Sequence, residues 1–177
     1  VHGAYQTQNA TLALAAVEAF LGGGQQRIMD DIVRAAFADF SSPGRLQVID
    51  RTPLTILDAA HNPDGARTLS HAMRDTFGAP HAVAVISMLA DKDAAQFFEA
   101  LDASFAEVVI TQSSSPRAVA AAELAEVAKA ALGSERVHVE PNLEQATALA
   151  KSLLPNLEAG AIVISGSITL VGDALKI

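Results

Sequence analysis

No cysteine and no tryptophan occur among the 177 residues, and the aromatics are one tyrosine and seven phenylalanines. Without cysteine there is no disulfide framework, no thiol nucleophile and no cysteine-based metal site. Basic residues are in the minority: 12 Lys and Arg face 20 Asp and Glu, a formal net charge of −8. That balance argues against a general nucleic-acid binder, which needs a basic face, although a ligand site can still be locally basic. No apolar run is long enough to span a membrane. There is no G-x-x-x-x-G-K-[ST] phosphate loop, no G-x-G-x-x-G after a strand, no G-x-S-x-G elbow and no pair of histidines at zinc-helix spacing. What is present is an alanine-rich chain, 50% hydrophobic. It can fill one ample core, or one domain with a piece of another. Val1 opens onto polar residues, with neither a methionine nor a secretory signal. A piece of a longer, cytoplasmic protein is the expectation.

The stretch Leu54-Thr-Ile-Leu-Asp-Ala-Ala-His-Asn-Pro63 organises the chain. Its β-branched apolar run reads as a buried strand that ends at Asp58. Asn62 followed by Pro63 reads as a helix start, with a capping side chain and proline at the first helical position. Ala66, Leu69, Met73 and Phe77 then fall at helical spacing. Asp58 and His61 therefore lie between a strand's carboxyl end and a helix's amino end, where open α/β sheets bind ligands.

Upstream, Ala10, Ala13, Leu14, Val17, Phe20 and Leu21 share one helical stripe, stopped by Gly22-Gly23-Gly24. A second helix is predicted over Asp31–Phe40, with Ile32, Val33, Ala36, Phe37 and Phe40 on its inner face. Two helices without a strand cannot cover their own apolar stripes. Residues 1–40 are expected to be the tail of a neighbouring domain, 41–44 a linker and 45–177 the main domain.

A strand over Leu46–Asp50 follows, too close to the Thr55 strand for a parallel crossover, so that pair should be antiparallel. Strands are then predicted at Ala82–Ile86, Glu107–Thr111, Val137–Val139 and Ala161–Ser165. Helices are predicted at Pro63–Phe77, Asp93–Ala103, Ala118–Leu132 and Leu143–Leu153, the last with Asn142 and Gln145 placed as a capping box. Ile168–Leu175 reads equally as strand or helix. The alternation predicts an α/β, Rossmann-like, mostly parallel sheet with one antiparallel edge strand and helices on both faces, preceded by the two foreign helices.

Polar groups follow each parallel strand: Asp58 and His61, then Asp91-Lys92-Asp93, then Ser113-Ser114-Ser115-Pro116-Arg117, then Gly166-Ser167. In a doubly wound sheet these points share one edge and can line one crevice. Each also has a plain structural reading. Asp58 can be a loop or cap residue, His61 a solvated histidine, Lys92 half of a surface ion pair worth little, and Ser167 a turn residue. Arg117 at a helix start opposes the helix dipole, which favours an anionic ligand as its reason. Taken alone, these residues support a small α/β domain that binds something anionic.

The motifs resemble a known family. Ser42-Pro-Gly-Arg-Leu46 followed by Asp58-Ala-Ala-His-Asn-Pro63 is similar to the P-G-R-L-E and D-[GA]-A-H-N segments of folylpolyglutamate synthase/dihydrofolate synthase, in the Mur ligase superfamily. Leu89-Ala-Asp-Lys-Asp93, Ser115-Pro-Arg-Ala118 and Ile164-Ser-Gly-Ser167 are similar to its D-K-D, P-R-A and terminal G-S segments. Gly3-Ala-Tyr-Gln-Thr-Gln-Asn-Ala10 resembles the end of its central ATPase domain. Gln47 stands where the family often has glutamate, and Ile168-Thr-Leu where Leu-Tyr-Leu is usual.

The resemblance implies an ATP-dependent ligase that activates a folate or dihydropteroate carboxylate as an acyl phosphate and joins it to L-glutamate. Residues 1–40 would then belong to the truncated ATPase domain, the intramolecular partner. The magnesium ligands and phosphate loop would lie further upstream, leaving the chain inactive alone. By motif position Asn9 would meet adenine, Asp58 the ribose, and Arg45 the outer phosphates. His61 would lie near the phosphates and the incoming glutamate, so that His61 and Asp58 form the catalytic pair. Lys92, Arg117 and Ser167 would take the glutamate carboxylates. No nucleic-acid or membrane partner is expected, and no metal ligand among these residues. Two other readings share the pattern: a cell-wall Mur-type amino-acid ligase, and a non-catalytic nucleotide-binding domain.

Overall fold

The computed structural model describes residues 3–79, 81–101 and 104–177. Two helices come first, α1 (Ala4–Gly22) and α2 (Asp30–Ala38). Then follow β1 (Gln47–Arg51), β2 (Leu54–Leu57), α3 (Pro63–Ala72), β3 (His81–Ile86), α4 (Ala94–Leu101) and β4 (Glu107–Ile110). The chain continues with α5 (Ala121–Leu132), β5 (Val137–Val139), α6 (Leu143–Ser152), β6 (Gly160–Ser165) and α7 (Ile168–Ala174).

The strands form one sheet in the order β1-β2-β6-β3-β4-β5. Only β1 and β2 run antiparallel; every other neighbouring pair is parallel. Side chains alternate across the sheet, as the pleat requires. Ala82, Ala84 and Ile86 of β3 face a core shared with α3, α4 and α5, where Phe97 and Phe98 are fully buried. Val83 and Val85 face the opposite core, shared with Ala146 and Ala150 of α6 and with Leu170 and Val171 of α7. Near-continuous apolar strands are what a sheet covered on both faces demands.

The topology also fixes a crevice. The connections through α3, α4 and α5 step across the sheet in one direction, and α6 brings the chain back so that β6 lies between β2 and β3. Right-handed crossovers then put the returning helix on the other face. The loop after β6 therefore parts from those after β2 and β3, the switch point at which such sheets bind ligands.

Several boundaries differ from the sequence reading. Strand β1 starts at Gln47, because Leu46 adopts a left-handed backbone, φ 46°, and buries its side chain in the core. The helix predicted to Phe77 is α-helical only to Ala72 and ends in a π-turn over Met73–Phe77. Asp93 caps α4 instead of opening it, its carboxylate accepting the Gln96 amide and side chain; the predicted end of that helix, residues 102–103, lies outside the described residues. Helix α5 begins at Ala121, three residues later than predicted, because Ala118 bridges to Leu89 in antiparallel pairing. The ambiguous last segment is the helix α7, capped by Ser167, whose Oγ accepts the Leu170 amide. Asn142 caps α6, accepting the Gln145 amide, but the predicted capping box is not closed by Gln145: the Asn142 amide donates to Glu140 Oε1 instead.

Helices α1 and α2 take little part in this packing, although Tyr5 of α1 lies against the core. Nothing in α2 is buried, and Leu12, Phe20, Leu21 and Ile32 are mostly exposed. The two helices face one another across an apolar cavity of about 200 Å³ lined by Leu14, Val17, Ile32, Val33 and Phe37. No helix among the described residues is long and apolar enough to cross a membrane.

Candidate functional site

Two cavities open at the carboxyl ends of the strands, and they share Arg45 and His61. The larger, about 510 Å³, lies between α1 and the loop after β2; its lining includes Tyr5, Gln6, Asn9, Arg45, Asp58 and His61. The smaller, about 240 Å³, is walled by Arg45, Ala59, His61, Leu89, Lys92, Arg117, Ser167 and Ile168. The structure thus brings Asn9, Arg45, Asp58 and His61 to one cavity. It brings Arg45, His61, Lys92, Arg117 and Ser167 to the other.

Asp58 is buried, and both of its oxygens are engaged. Oδ2 accepts the Leu46 amide and Oδ1 the Ala60 amide, each at 2.9 Å. Burial pushes its pKa above the ordinary carboxylate range; the two amides, Arg45 and His61 pull the other way without reversing the shift. A carboxylate has about four lone-pair sites, so Asp58 can hold the linker and still accept from a ligand. The plain loop reading and the ligand reading are compatible here.

Arg45 owes its place to the backbone around it. Gly44 has φ 69°, and a Cβ there would lie 2.7 Å from Cγ1 of Val171. The Gly44 carbonyl accepts the Ala59 amide at 2.8 Å, and its amide donates to Gln47 Oε1. Left-handed Leu46 follows at once, an uncommon conformation for a branched side chain and one that concentrates at functional sites. Arg45 therefore projects from a backbone pinned on both sides. Its guanidinium has no hydrogen-bond or ion-pair partner among the described residues, yet it is near enough to Asp58 to stabilise that carboxylate.

His61 pairs through Nδ1 with the Ala59 carbonyl at 2.8 Å. A carbonyl only accepts, so Nδ1 carries the proton and Nε2 is left for a ligand.

Lys92 forms the surface ion pair read from the sequence, with Asp91, and Arg117 shares that counterion, which the sequence reading did not foresee. Asp91 Oδ2 lies 3.0 Å from Lys92 Nζ, and its Oδ1 lies 3.4 Å from the Arg117 guanidinium. The Lys92 ammonium, hydrogen-bonded to it, holds the Asp91 carboxyl below its ordinary pKa. Arg117 sits in a turn and not at a helix start, so the helix-dipole argument for it does not hold. What positions it is the neighbouring loop: its carbonyl accepts the Ala90 amide at 3.0 Å. Ser167 is buried and serves as a helix cap, which uses a lone pair of Oγ and leaves its O–H to donate.

Tyr5 was also missed as a lining residue. Burial raises its pKa, and the Asp58 carboxylate adds to the shift. Only its place in the Gly3-Ala-Tyr-Gln segment could have marked it. Among the described residues no group of three His, Asp or Glu side chains could hold a metal ion.

Residues 44–168 match the family described as Mur ligase, glutamate ligase domain. The dihydrofolate synthase/folylpolyglutamate synthase of Mycobacterium tuberculosis is 41% identical over 186 residues, covering 98% of this chain and 38% of that protein. The folylpolyglutamate synthase of Lacticaseibacillus casei is 31% identical over 95% of this chain and 37% of its own length. The Mycobacterium tuberculosis folylpolyglutamate synthase complexed with ADP superposes with a TM-score of 0.94 at 40% identity, over 99% of this chain and 40% of that one. The chain therefore spans well under two thirds of the length of these relatives.

Proposed function

The chain belongs to the Mur ligase family, as its glutamate ligase domain, and from that premise we propose that it is part of an ATP-dependent amide ligase. That ligase adds L-glutamate to folate or dihydropteroate. ATP transfers its terminal phosphoryl group to the substrate carboxylate. The glutamate amine attacks the resulting acyl phosphate, loses a proton, and phosphate leaves. Such chemistry depends mainly on positioning and charge stabilisation.

The observation that carries this reading is the sharing of Arg45 and His61 by the two cavities. The carboxylate that takes the phosphoryl group from ATP is the one the glutamate amine then attacks, so the nucleotide and amino-acid sites must adjoin, and these two residues line both cavities. In the larger cavity Asn9 meets the adenine, and Asp58 accepts from the ribose hydroxyls with its remaining lone pairs. Arg45 forks onto the outer phosphates. His61 Nε2 lies toward the phosphates and the incoming amine.

In the smaller cavity Lys92, Arg117 and the Ser167 hydroxyl take the glutamate carboxylates. Their tie to Asp91 is exposed and costs little to exchange, since such pairs contribute about 0–1 kcal/mol. Magnesium accompanying ATP takes its protein ligands outside the described residues, which offer no three-ligand cluster. The 177 residues also carry no phosphate loop, so this polypeptide by itself is proposed to be inactive.

A chimera tests the function. This chain replaces the matching segment of the Mycobacterium tuberculosis relative, and ADP release is followed with folate or dihydropteroate plus L-glutamate. Glutamate-dependent ADP release supports the reading. A folded chimera that binds ADP but turns over no glutamate with either acceptor overturns it.

A further inference from the structure

The smaller cavity is built from loops, and one side-chain contact ties two of its walls together. The Arg117 wall belongs to residues 111–120, which contain no regular helix or strand. Toward β3 this loop is held by backbone bonds: Ala90 donates to the Arg117 carbonyl and Val119 to the Met88 carbonyl. The Lys92 and Arg117 loops are therefore zipped into one unit. The opposite wall, Ser167 and Ile168, opens α7. Asp173, near the end of α7, reaches across to the zipped loops. Its Oδ2 accepts the Ser114 amide at 2.8 Å, and its Oδ1 accepts the Ser114 hydroxyl at 2.8 Å.

Two donors of one residue on the two oxygens of one carboxylate fix orientation as well as distance. Asp173 lies only partly exposed, its side chain at 18%, and its second neighbour Lys176 is more distant at 3.6 Å. Burial works against ionisation, but the two Ser114 bonds and Lys176 outweigh it and hold the carboxyl below its ordinary pKa. Asp173 is thus charged when the bonds are formed. The rest of α7 packs through Leu170, Val171 and Ala174, and just before it the Gly166 amide donates to the Ala60 carbonyl at 2.9 Å. Apolar contacts are not directional, and the Gly166 bond runs to the loop after β2 and not to the Ser114 loop.

We propose that Asp173 is a positioning residue for amino-acid binding: by clamping Ser114 it sets the spacing between the Arg117 wall and the Ser167 wall, and so the dicarboxylate that fits between them. Asp173 touches no substrate. The proposal rests on the glutamate-ligase reading for its ligand, while the clamp itself belongs to the fold.

Two measurements separate these. In the full chain, hydrogen exchange of the Gln112–Val119 amides should accelerate in Asp173→Ala, while the α3 amides keep their protection. In the chimeric ligase, Asp173→Ala should raise the KM for glutamate roughly five- to twentyfold, the loss expected for charged hydrogen bonds at a partly exposed site. The KM for ATP should change less than twofold. Asp173→Asn should largely restore glutamate binding, because its amide accepts from the Ser114 N–H and donates to the Ser114 hydroxyl. Ser114→Ala should weaken glutamate binding, and its combination with Asp173→Ala should add little.

Unchanged exchange in Asp173→Ala overturns the clamp. Faster exchange with equal changes in both KM values, or strict additivity with Ser114→Ala, overturns its role in amino-acid selection. An inactive wild-type chimera with normal exchange behaviour counts against the ligase reading and leaves the clamp standing.

Discussion

The buried Asp58 carboxylate holds the amide of Leu46, 12 residues away in sequence, at 2.9 Å. One residue thereby ties the segment that carries Arg45 to the loop that carries His61. Asp58→Ala would strip two buried amides of their acceptor and should cost about 2–4 kcal/mol. The pH dependence has a definite sign. Burial raises the folded pKa of Asp58 above its unfolded value of about 3.9. Its contribution to stability is then fully present below that unfolded value and declines as pH rises through the folded pKa. Urea unfolding of both proteins between acid and neutral pH should show the wild-type advantage shrinking as pH rises. A growing advantage would contradict the shift.

Gly44 admits no side chain. Its φ is 69°, and a Cβ would meet Val171 Cγ1 at 2.7 Å. Gly44→Ala should destabilise the chain by roughly 2–3 kcal/mol, from the backbone conformation and overpacking together. Pairing it with Val171→Ala should relieve the steric part and leave the conformational part. Denaturant midpoints of the two single variants and the double variant decide this.

Lys92→Ala in the chimeric ligase should raise the KM for glutamate roughly tenfold, the loss of one charge-assisted contact. The KM for ATP should move far less, because Lys92 lines the smaller of the two cavities and not the larger. Steady-state kinetics with each substrate varied in turn separate the two. Equal effects would place Lys92 in a general structural role.

Helices α1 and α2 should exchange their amides faster than the sheet. Phe20 is 88% exposed and Leu21 72% exposed, whereas residues 82–86 of β3 and 161–165 of β6 are buried. Elements with few buried apolar contacts open at low free-energy cost. Hydrogen exchange resolved by peptide should rank α2 among the least protected helices. Protection equal to that of β3 in a monomer would contradict the domain boundary proposed at residues 41–44.

The parallel strands were legible because burial on both faces writes them as apolar runs, such as His81–Ile86 and Gly160–Ser165. The edge on which Asp58, His61, Lys92, Arg117 and Ser167 gather was legible too, since alternation and crossover handedness leave little choice. The finer geometry was not. The left-handed Leu46 backbone is held by Asp58, which accepts its amide from beyond the β1–β2 pair, a contact of 12 residues' separation that no local propensity records. The start of α5 yields to a bridge between Leu89 and Ala118, again a tertiary event. The pair of Lys92 with the adjacent Asp91 was legible as a surface ion pair, but the approach of Arg117 to the same carboxylate needed the two loops to be placed side by side first.

Each wall of the smaller cavity arrives on a different loop: Arg45 before β1, His61 after β2, Lys92 after β3, Arg117 after β4 and Ser167 after β6. The strands beneath are locked by register, but the loops answer to separate stretches of sequence. Selection can therefore alter one wall at a time without disturbing the sheet. Exchange of one lining side chain leaves the sheet intact, whereas a change of backbone is felt by the partner loop as well, because the Lys92 and Arg117 loops are joined by backbone bonds and Ser114 is held by Asp173.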